Sequence, residues 1–498
     1  MKGISHWIDQ RSIITPNRLA LIDDRRNLTY LEMSKMINRF AGVLQSTYSI
    51  KKGDRVGVLS MNSIDFIIVL FSMAKLNAVA VPLNIRLTVD ELEYQLKDSG
   101  LQTLIVDNDN HTKGKELLNR TLFQLLTFET INLAKTEQLT PTEIDSAAPY
   151  IICYTSGTTG RPKGAVLTQE NMFWNAINNT VGLDITSKDK IITLLPLFHI
   201  GGIGLFTLPV LLSGGTVVVP ERFDPEQALE YIEKHEITIV MGVPTIHDSL
   251  RKSPSFETTN LTSVRFFYNG GAPCPEELIR WYLEKGISFG QGYGLTETSP
   301  TVFLLSEEDY HRKVGSIGKP VMFTEIRVVD EEAKEVSPGE YGELLVKGPT
   351  VMKEYYNLPE ETAKAIQNGW FATGDIVRQD EEGFVFIAGR KKEMIISGGE
   401  NIYPLEVEKV IYELPDVDEA AVIGVPHDKW GETPIAFIVL KKETNFTDEK
   451  LKEYCTKKLA RYKVPSIFKI VSALPKNATG KIDKATLKKF YLEEVMSL

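Results

Sequence analysis

The chain has 498 residues, of which 43% are hydrophobic and 24% are charged, and its formal net charge is -10. This composition is typical of a folded globular protein with room for more than one domain, and it argues against intrinsic disorder. The negative net charge disfavours nucleic-acid binding, and the three cysteines show no C-x-x-C spacing that would indicate a metal site or a disulfide framework.

The N-terminal segment lacks the uninterrupted apolar run of a signal peptide. The nearest candidate for a membrane span, residues 64–81, carries Asp65, Lys75 and Asn77. That segment is better interpreted as a core helix running into a strand, because charges inside a bilayer are costly. The sequence therefore predicts no transmembrane segment and a cytoplasmic location.

Helical and strand periodicities alternate through the first part of the chain. Residues 28–45 and 64–77 have helical patterns, while 55–61 and 78–84 have the composition of strands. The alternation continues with β-rich runs separated by helical patterns; these runs are 191–196, 215–220, 237–244 and 263–271, and the helical patterns include 225–236 and 275–286. Such alternation predicts mostly parallel sheets covered by helices.

The pattern changes near residue 320. Residues 324–348 are interpreted as strands joined by acidic turns, and a compact α/β segment begins at about residue 393. The predicted fold class is α/β, with a large N-terminal domain of mostly parallel sheets, a small β-rich subdomain, and a small C-terminal α/β domain.

A polar loop follows the apolar run at residues 151–154, in the stretch IICYTSGTTGRPKGAV. Hydroxyl groups, backbone N–H groups freed by glycines, and Lys163 together suit a polyanion such as a triphosphate. The stretch is not a Walker loop, because Pro162 interrupts the spacing and Gly164 follows the lysine. The alternative is an ordinary polar turn.

Further segments carry residue types that chemistry could use. The Tyr293 ring can stack on a base, Glu297 can hold a hard cation, and Asp375 can accept hydrogen bonds from two ribose hydroxyls. The alternative interpretations are structural: His199 would only pack in the core, and Asp375 would only cap a turn. The segments are PLFHIGG (196–202), YNGGAP (268–273), GQGYGLTETSP (290–300), NGWFATGD (368–375), GRKKEMIISGGENIYP (389–404) and PKNATGKIDK (475–484).

In this order, the segments closely resemble those of the adenylate-forming, AMP-binding superfamily, in its acyl-CoA synthetase branch. That branch includes fatty-acid, aromatic-acid and o-succinylbenzoate CoA ligases, and the resemblance covers nearly the whole chain. It implies a two-step reaction with Mg-ATP and CoA: a carboxylate and ATP give an acyl-adenylate and pyrophosphate, and a thiol then displaces AMP. It also implies that residues 1–390 and 391–498 form two domains, that the small C-terminal domain is mobile, and that the active site lies between the two domains.

The resemblance implies roles for individual residues. Lys481 would bridge the carboxylate and the phosphate, Thr296 and Glu297 would lie near the α-phosphate and Mg²⁺, and His199 would gate the acyl site. Lys392 would be the hinge. Nucleotide contacts would come from Thr155, Ser156, Gly157, Thr158, Thr159, Gly160, Lys163, Gly270, Gly271, Ala272, Pro273, Tyr293, Asp375 and Arg390.

The thiol and the acyl group would occupy separate pockets. Rotation of the small domain would move Lys481 out and bring Gly398 and Gly399 in to line a thiol tunnel, with Trp430 beside the CoA arm. The acyl pocket would be lined by Gly201, Gly202, Ile203, Val243, Tyr268, Asn269, Ser299 and Pro300. Because this set contains no lysine, arginine or aspartate, a hydrophobic fatty or aromatic acid is favoured over a dicarboxylate or an amino acid.

Several alternatives stay open on the sequence alone. The chain could be a stand-alone adenylating enzyme that loads a carrier protein, an o-succinylbenzoate-CoA ligase, or a catalytically inactive nucleotide-binding or acyl-CoA-binding protein. The presence of Lys163, Glu297, Asp375, Arg390 and Lys481 argues against inactivity. The sequence does not distinguish a monomer from a homodimer or name the acid.

Overall fold

The structure, a computed structural model, describes residues 3–134, 139–155, 161–441, 447–476 and 481–496. Five residues of the predicted phosphate loop, Ser156 to Gly160, lie outside the described residues. Within these ranges, no helix is both long and apolar enough to cross a membrane.

Helices and strands alternate in the first part of the chain, as the sequence predicts. The elements are α1 (Ser5–Ile14), β1 (Leu19–Ile22), β2 (Asn27–Thr29), α2 (Tyr30–Ser46), β3 (Arg55–Leu59), α3 (Ile64–Leu76), β4 (Val79–Pro82), α4 (Val89–Ser99), β5 (Thr103–Val106), α5 (His111–Leu118), β6 (Gln124–Thr127) and α6 (Phe128–Leu133). The start of α2 is fixed by a capping box, in which Thr29 and Glu32 exchange side-chain and backbone hydrogen bonds. The supposed membrane segment is α3 followed by β4, so the prediction of a core helix and strand is confirmed.

The middle of the chain continues the alternation. Its elements are β7 (Pro149–Thr155), β8 (Lys163–Thr168), α7 (Gln169–Gly182), β9 (Lys190–Thr193), α8 (Ile200–Gly204), α9 (Thr207–Ser213), β10 (Thr216–Val218), α10 (Pro225–Lys234), β11 (Ile239–Gly242), α11 (Pro244–Lys252), β12 (Phe266–Asn269), α12 (Glu276–Glu284), β13 (Phe289–Tyr293) and β14 (Phe303–Leu304). A short 3₁₀ helix, Thr296–Thr298, follows β13.

The last part of the chain is β-rich at first and then mixed. Its elements are β15 (Lys319–Pro320), β16 (Glu325–Val329), β17 (Tyr341–Lys347), β18 (Glu354–Tyr355), α13 (Pro359–Ala365), β19 (Ile366–Gln367), β20 (Trp370–Gln379), β21 (Val385–Arg390), β22 (Ile395–Ser397), β23 (Glu400–Ile402), α14 (Pro404–Tyr412), β24 (Val417–His427), β25 (Gly431–Leu440), α15 (Asp448–Lys458), β26 (Ile467–Ile470) and α16 (Lys484–Met496).

Two large sheets form the N-terminal part. The nine-stranded sheet has the order β15-β14-β13-β12-β11-β9-β10-β1-β2, and the seven-stranded sheet has the order β18-β8-β7-β4-β3-β5-β6. Their inner strands are parallel, while β2, β8, β14, β15 and β18 run antiparallel at the edges. The prediction of mostly parallel sheets is confirmed.

Two smaller sheets complete the fold. In the β-rich subdomain, β16, β17, β20 and β19 follow one another, and β21 pairs with β20. The C-terminal sheet has the order β23-β22-β25-β24, with β26 parallel to β25. Its buried side chains form clusters drawn from residues 395–468 and 421–491, apart from the main core. The exact domain boundary at residues 390 and 391 stays a prediction.

Neighbouring parallel strands bring several motifs to one edge of the nine-stranded sheet. Gly242 at the end of β11 lies opposite Asn269 at the end of β12, and Asn269 lies opposite Gln291 in β13. The loops that follow these strands therefore start side by side. In open α/β sheets, ligands bind beyond the carboxyl ends of the strands.

Candidate active site

A cavity of about 2200 Å³ lies beyond these strand ends. Its walls include Lys163, Glu297, Arg390 and Lys481. The first and the last of these residues are more than 300 positions apart along the chain. Segments from both the large sheets and the C-terminal part thus line one space. The fold brings together most of the motifs that the sequence analysis singled out.

The phosphate-loop lysine is held at the end of the β7–β8 hairpin. Thr155 lies opposite Lys163 across this hairpin. The Lys163 ammonium is 2.5 Å from a carboxylate oxygen of Glu361 in α13, and it lies 5.1 Å from the centre of the Tyr355 ring. A carboxylate and an aromatic face therefore hold this cation in place when no phosphate is bound.

The same tyrosine contacts the predicted magnesium ligand. The Tyr355 hydroxyl donates a hydrogen bond of 2.9 Å to Oε1 of Glu297, which is 9% exposed. Burial, and then the Glu297 charge, raise the pKa of Tyr355, so the phenol remains a donor at neutral pH. One chain of contacts thus runs from Glu361 through Lys163 and Tyr355 to Glu297.

The carboxylate of Glu297 fits the role of a magnesium ligand. In the described part of the chain, no cluster of three or more histidine, cysteine, aspartate or glutamate side chains could hold a metal by itself. Mg²⁺ usually binds through one or two carboxylates together with substrate phosphates and water. A single buried carboxylate beside the phosphate-loop lysine matches that pattern.

The predicted ribose contacts form a cross-strand pair. Asp375 in β20 lies directly opposite Arg390 in β21, and their side chains are 2.7 Å apart. The Tyr293 hydroxyl donates a hydrogen bond to the other carboxylate oxygen of Asp375. Burial raises the pKa of Asp375 above its usual value, although Arg390 and then the Tyr293 hydrogen bond act in the opposite direction. The aspartate is thus oriented by two partners rather than free in a turn.

Lys481 and His199 lie close enough to influence each other electrostatically. Protein atoms surround Lys481 on most sides, although its side chain keeps contact with solvent in the cavity. Burial, followed by the charge of Arg390, lowers the pKa of Lys481. Burial, followed by the charges of Arg86 and Lys481, lowers the pKa of His199 to about 4. The imidazole is therefore neutral at physiological pH.

The predicted acyl and adenine residues divide into two groups. Gly201, Val243, Tyr268, Asn269 and Pro300 line the cavity, as do Gly270 and Gly271. Among the described residues, the lining does not include Gly202, Ile203, Ser299, Ala272 or Pro273.

Three of these five departures have a physical reason. A side chain on Gly202 would collide with the carbonyl oxygen of Pro196, so that glycine faces the preceding loop. Ile203 is 1% exposed and packs in the main core, and Ser299 is fully buried with φ of 68°. For these residues, proximity in sequence to the cavity wall was misleading.

The residues predicted for CoA lie together but apart from the cavity. The Gly398 N–H donates to the Trp430 carbonyl, and a Cβ on Gly398 would come within 2.8 Å of the indole. Gly398 and Gly399 have φ of +60° and +88°, a region that favours glycine. Trp430 is 46% exposed, and none of the three lines the cavity within the described ranges. Lys392, the predicted hinge, does line it.

Sequence reasoning missed three residues that the fold brings to the site. Tyr355 and Glu361 belong to MKEYYNLPEET, just before the NGWFATGD motif, and Arg86 follows β4 in PLNIRL. All three line the cavity. A polar or charged residue soon after a strand end was the available signal for Arg86.

Comparison with known proteins agrees with this geometry. A sequence model described as AMP-binding enzyme matches residues 9–356, and one described as AMP-binding enzyme C-terminal domain matches residues 406–481. The chain belongs to the AMP-binding enzyme family. Membership in that family, together with similarity to acyl-CoA synthetases, confirms the resemblance inferred from the motifs.

Relatives of this AMP-binding enzyme match it over almost their whole length. A feruloyl-CoA synthase of Amycolatopsis sp is 38% identical, covering 98% of this chain and 99% of the relative. The long-chain-fatty-acid–CoA ligase FadD13 of Mycobacterium tuberculosis is also 38% identical, covering 99% of each. The structure of o-succinylbenzoate CoA synthetase (MenE) from Bacillus subtilis, in complex with the acyl-adenylate intermediate OSB-AMP, superimposes with a TM-score of 0.89 at 36% identity, covering 97% of each chain.

Proposed function

We propose that this AMP-binding enzyme is an AMP-forming ligase that joins a hydrophobic carboxylic acid to CoA. The observation that carries the proposal is one cavity lined by Lys163, Glu297, Arg390 and Lys481 together with apolar side chains, among them Leu205, Phe206 and Met241. Its relatives include CoA ligases for aromatic, long-chain and succinyl-aromatic acids. Cations and a carboxylate that suit Mg-ATP therefore share one cavity with apolar side chains that suit an apolar acid.

The first half-reaction joins two anions. A carboxylate oxygen of the acid attacks the α-phosphorus of ATP, the bond to the bridging oxygen breaks, and pyrophosphate leaves with the electron pair. Lys481 offsets the repulsion between the carboxylate and the α-phosphate, and Lys163 contacts the departing phosphates. Glu297 would hold Mg²⁺, which would supply further positive charge near the phosphates. In our proposal Thr296 contacts the α-phosphate.

The nucleoside would lie on the other wall of the cavity. Asp375, already oriented by Arg390 and Tyr293, would accept hydrogen bonds from the ribose hydroxyls. The adenine would lie beside Gly270 and Gly271, where the absence of side chains leaves space for a flat base. Because these groups are oriented before ATP binds, little reorganisation is needed on binding.

The second half-reaction requires a different arrangement. The thiol sulfur of CoA attacks the acyl carbon, AMP leaves with the former carboxylate oxygen, and the thiol proton passes to solvent or phosphate. Gly398, Gly399 and Trp430 lie outside the cavity while Lys481 lines it. We propose that the segment after Lys392 rotates between the half-reactions and exchanges these groups.

The test measures pyrophosphate and AMP released from Mg-ATP with fatty, aromatic and succinyl-aromatic acids, each with and without CoA. Turnover that requires both an acid and CoA is the expected result. Acid-dependent exchange of pyrophosphate into ATP that CoA does not accelerate would indicate a carrier protein as acceptor instead. ATP binding without exchange or turnover for any acid would refute an enzymatic function.

A further inference from the structure

One carboxylate in the cavity wall is shared by two lysines. Oε2 of Glu361 lies 2.5 Å from the Lys163 ammonium, and Oε1 of the same side chain lies 3.1 Å from the Lys364 ammonium. All three residues line the cavity. The two ammonium groups are therefore separated by one carboxylate group and two short contacts, a span that a diphosphate can bridge.

The local fold fixes this arrangement. Strand β18 pairs with β8, and β8 begins at Lys163. The first turn of α13 is tied to β18, because the Tyr355 N–H donates a hydrogen bond of 3.0 Å to the hydroxyl oxygen of Thr362. Glu361 and Lys364 are three positions apart in α13, a spacing that places both side chains on one face of a helix. The carboxylate and the second lysine are thus held beside the hairpin that carries the first lysine.

The three side chains lead from the interior of the protein toward solvent. The exposed fraction of the side chain is 12% for Lys163, 31% for Glu361 and 71% for Lys364. An anion that leaves the inner lysine would therefore meet the outer lysine before it reaches bulk water. Because the outer lysine is solvated, its interaction with an anion should weaken as the salt concentration rises.

Glu361 occupies the place that a phosphate group would take between the two cations. Hydrogen bonds from Lys163 and then from Lys364 lower the pKa of this carboxyl group, which is therefore ionised at neutral pH. A diphosphate carries more negative charge than one carboxylate and can form charge-assisted hydrogen bonds with both lysines, so it can displace Glu361. A bound diphosphate nevertheless competes with a carboxylate that is tethered beside it and cannot diffuse away.

We propose that Lys163 and Lys364 form a two-cation site for the β- and γ-phosphates of ATP and for the pyrophosphate that they become, and that Glu361 competes for this site. The inference rests on the proposed ligase function and adds Glu361 and Lys364 to the groups that handle the phosphates. ATP displaces the carboxylate when it binds, and the carboxylate returns as pyrophosphate leaves. Glu361 thereby weakens the retention of a product that would otherwise inhibit the next turnover.

The test measures Kd for pyrophosphate, ATP and AMP by calorimetry, with excess Mg²⁺ and without acid or CoA. We expect Lys364→Gln to raise Kd for pyrophosphate and ATP about fivefold, the upper end of the effect of an exposed ion pair, and to leave Kd for AMP unchanged. Glu361→Gln should lower Kd for pyrophosphate and ATP by a similar factor, because it removes the competing charge and keeps the side-chain shape. Equal pyrophosphate Kd values in the unmodified enzyme and both variants would overturn the inference and indicate a structural ion pair.

A double variant separates direct contact from an indirect effect of the outer lysine. If Lys364 acts only by drawing Glu361 away from Lys163, its removal should have no effect once the carboxylate is gone. Direct contact predicts that Lys364→Gln still weakens pyrophosphate binding in the Glu361→Gln background, and that added salt reduces this loss. An effect of Lys364→Gln that disappears in that background would overturn the two-cation site.

Two neighbouring residues provide matched controls. Lys353 and Glu360 are exposed residues of the same segment, and neither is among the described residues that line the cavity. Lys353→Gln and Glu360→Gln change the charge nearby in the same way as the two test variants, and they should leave Kd for pyrophosphate unchanged. Equal effects in a test variant and its control would indicate a general effect of surface charge and would contradict the proposal.

The binding assay also separates this inference from the proposed function. Kd values for pyrophosphate that change as expected, with no AMP release from any acid and CoA, would support the two-cation site and contradict the ligase. Turnover with an acid and CoA, with the same Kd for pyrophosphate in both variants as in the unmodified enzyme, would support the ligase and contradict the two-cation site.

Discussion

The contact between Tyr355 and Glu297 allows a sharp test of how the enzyme positions its magnesium ligand. Tyr355→Phe removes only the hydroxyl that donates to Glu297 at 2.9 Å. The ring remains, and with it the surface over which the Lys163 ammonium lies at 5.1 Å. The substitution therefore separates the orientation of Glu297 from the support of Lys163.

The expected loss follows from the kind of hydrogen bond removed. Hydrogen bonds to charged groups contribute about 1.5–3 kcal/mol, and Glu297 is buried enough that water replaces the lost partner poorly. We expect kcat/KM for Mg-ATP to fall by about 10- to 100-fold, since 1.4 kcal/mol corresponds to a factor of ten. The Mg²⁺ concentration needed for half-maximal activity should rise, and the KM of the acid should change little.

The assay is initial-rate pyrophosphate release over a range of Mg²⁺ concentrations at saturating acid. Tyr356→Phe is the matched control, because the Tyr356 side chain packs against the apolar cluster around β3, β4 and β5 rather than on Glu297. An unchanged Mg²⁺ dependence in Tyr355→Phe would refute the claim that this hydroxyl positions the magnesium ligand. An equal effect in Tyr356→Phe would indicate a general disturbance of the segment.

Three further predictions concern separate parts of the molecule. Lys481→Ala should slow adenylation by about 10²–10³-fold but largely preserve thioester formation from a supplied acyl-adenylate. The control Lys489→Ala should affect neither half-reaction. Equal loss of both half-reactions in Lys481→Ala would contradict the role of this lysine in adenylation. Glu361→Gln should lower the KM for ATP several-fold, because Lys163 then binds the phosphates without first breaking its ion pair with Glu361. The control Glu360→Gln should leave the KM for ATP unchanged. Burial lowers the pKa of His247 from 6.5 to about 4, so the imidazole binds a proton more tightly in the unfolded chain than in the folded protein. The free energy of unfolding should therefore fall by up to about 3 kcal/mol as the pH is lowered from 6.5 to 4. Urea unfolding should show a smaller fall over this pH range for His247→Gln.

Sequence patterns predicted the parts of the site that belong to continuous motifs. Asp375 and Arg390 belong to separate motifs 15 positions apart, and the β20–β21 pairing that brings them together follows from antiparallel strand geometry. The helix and strand at 64–81 could be assigned because charged residues ruled out a membrane span. The alternation of helices and strands predicted the mostly parallel sheets, and the strand pairing then showed the edge at which the motifs meet.

Other parts of the site depend on contacts that no local pattern contains. Glu361 contacts Lys163 across 198 positions of sequence, and the contact exists only because β18 pairs with β8. Sequence adjacency also misassigned Ile203 and Ser299 to the cavity wall, because only packing decides which side of a loop faces the ligand.

The measurement that tests the central claim most directly follows one oxygen atom. The enzyme is supplied with an accepted acid labelled with ¹⁸O in its carboxylate, together with Mg-ATP and CoA, and the products are analysed by mass spectrometry. The account predicts one ¹⁸O atom in AMP and none in pyrophosphate, because the carboxylate attacks the α-phosphorus and the thiol then breaks the bond from that oxygen to the acyl carbon. Unlabelled AMP, or label in inorganic phosphate released with ADP, would contradict an acyl-adenylate intermediate.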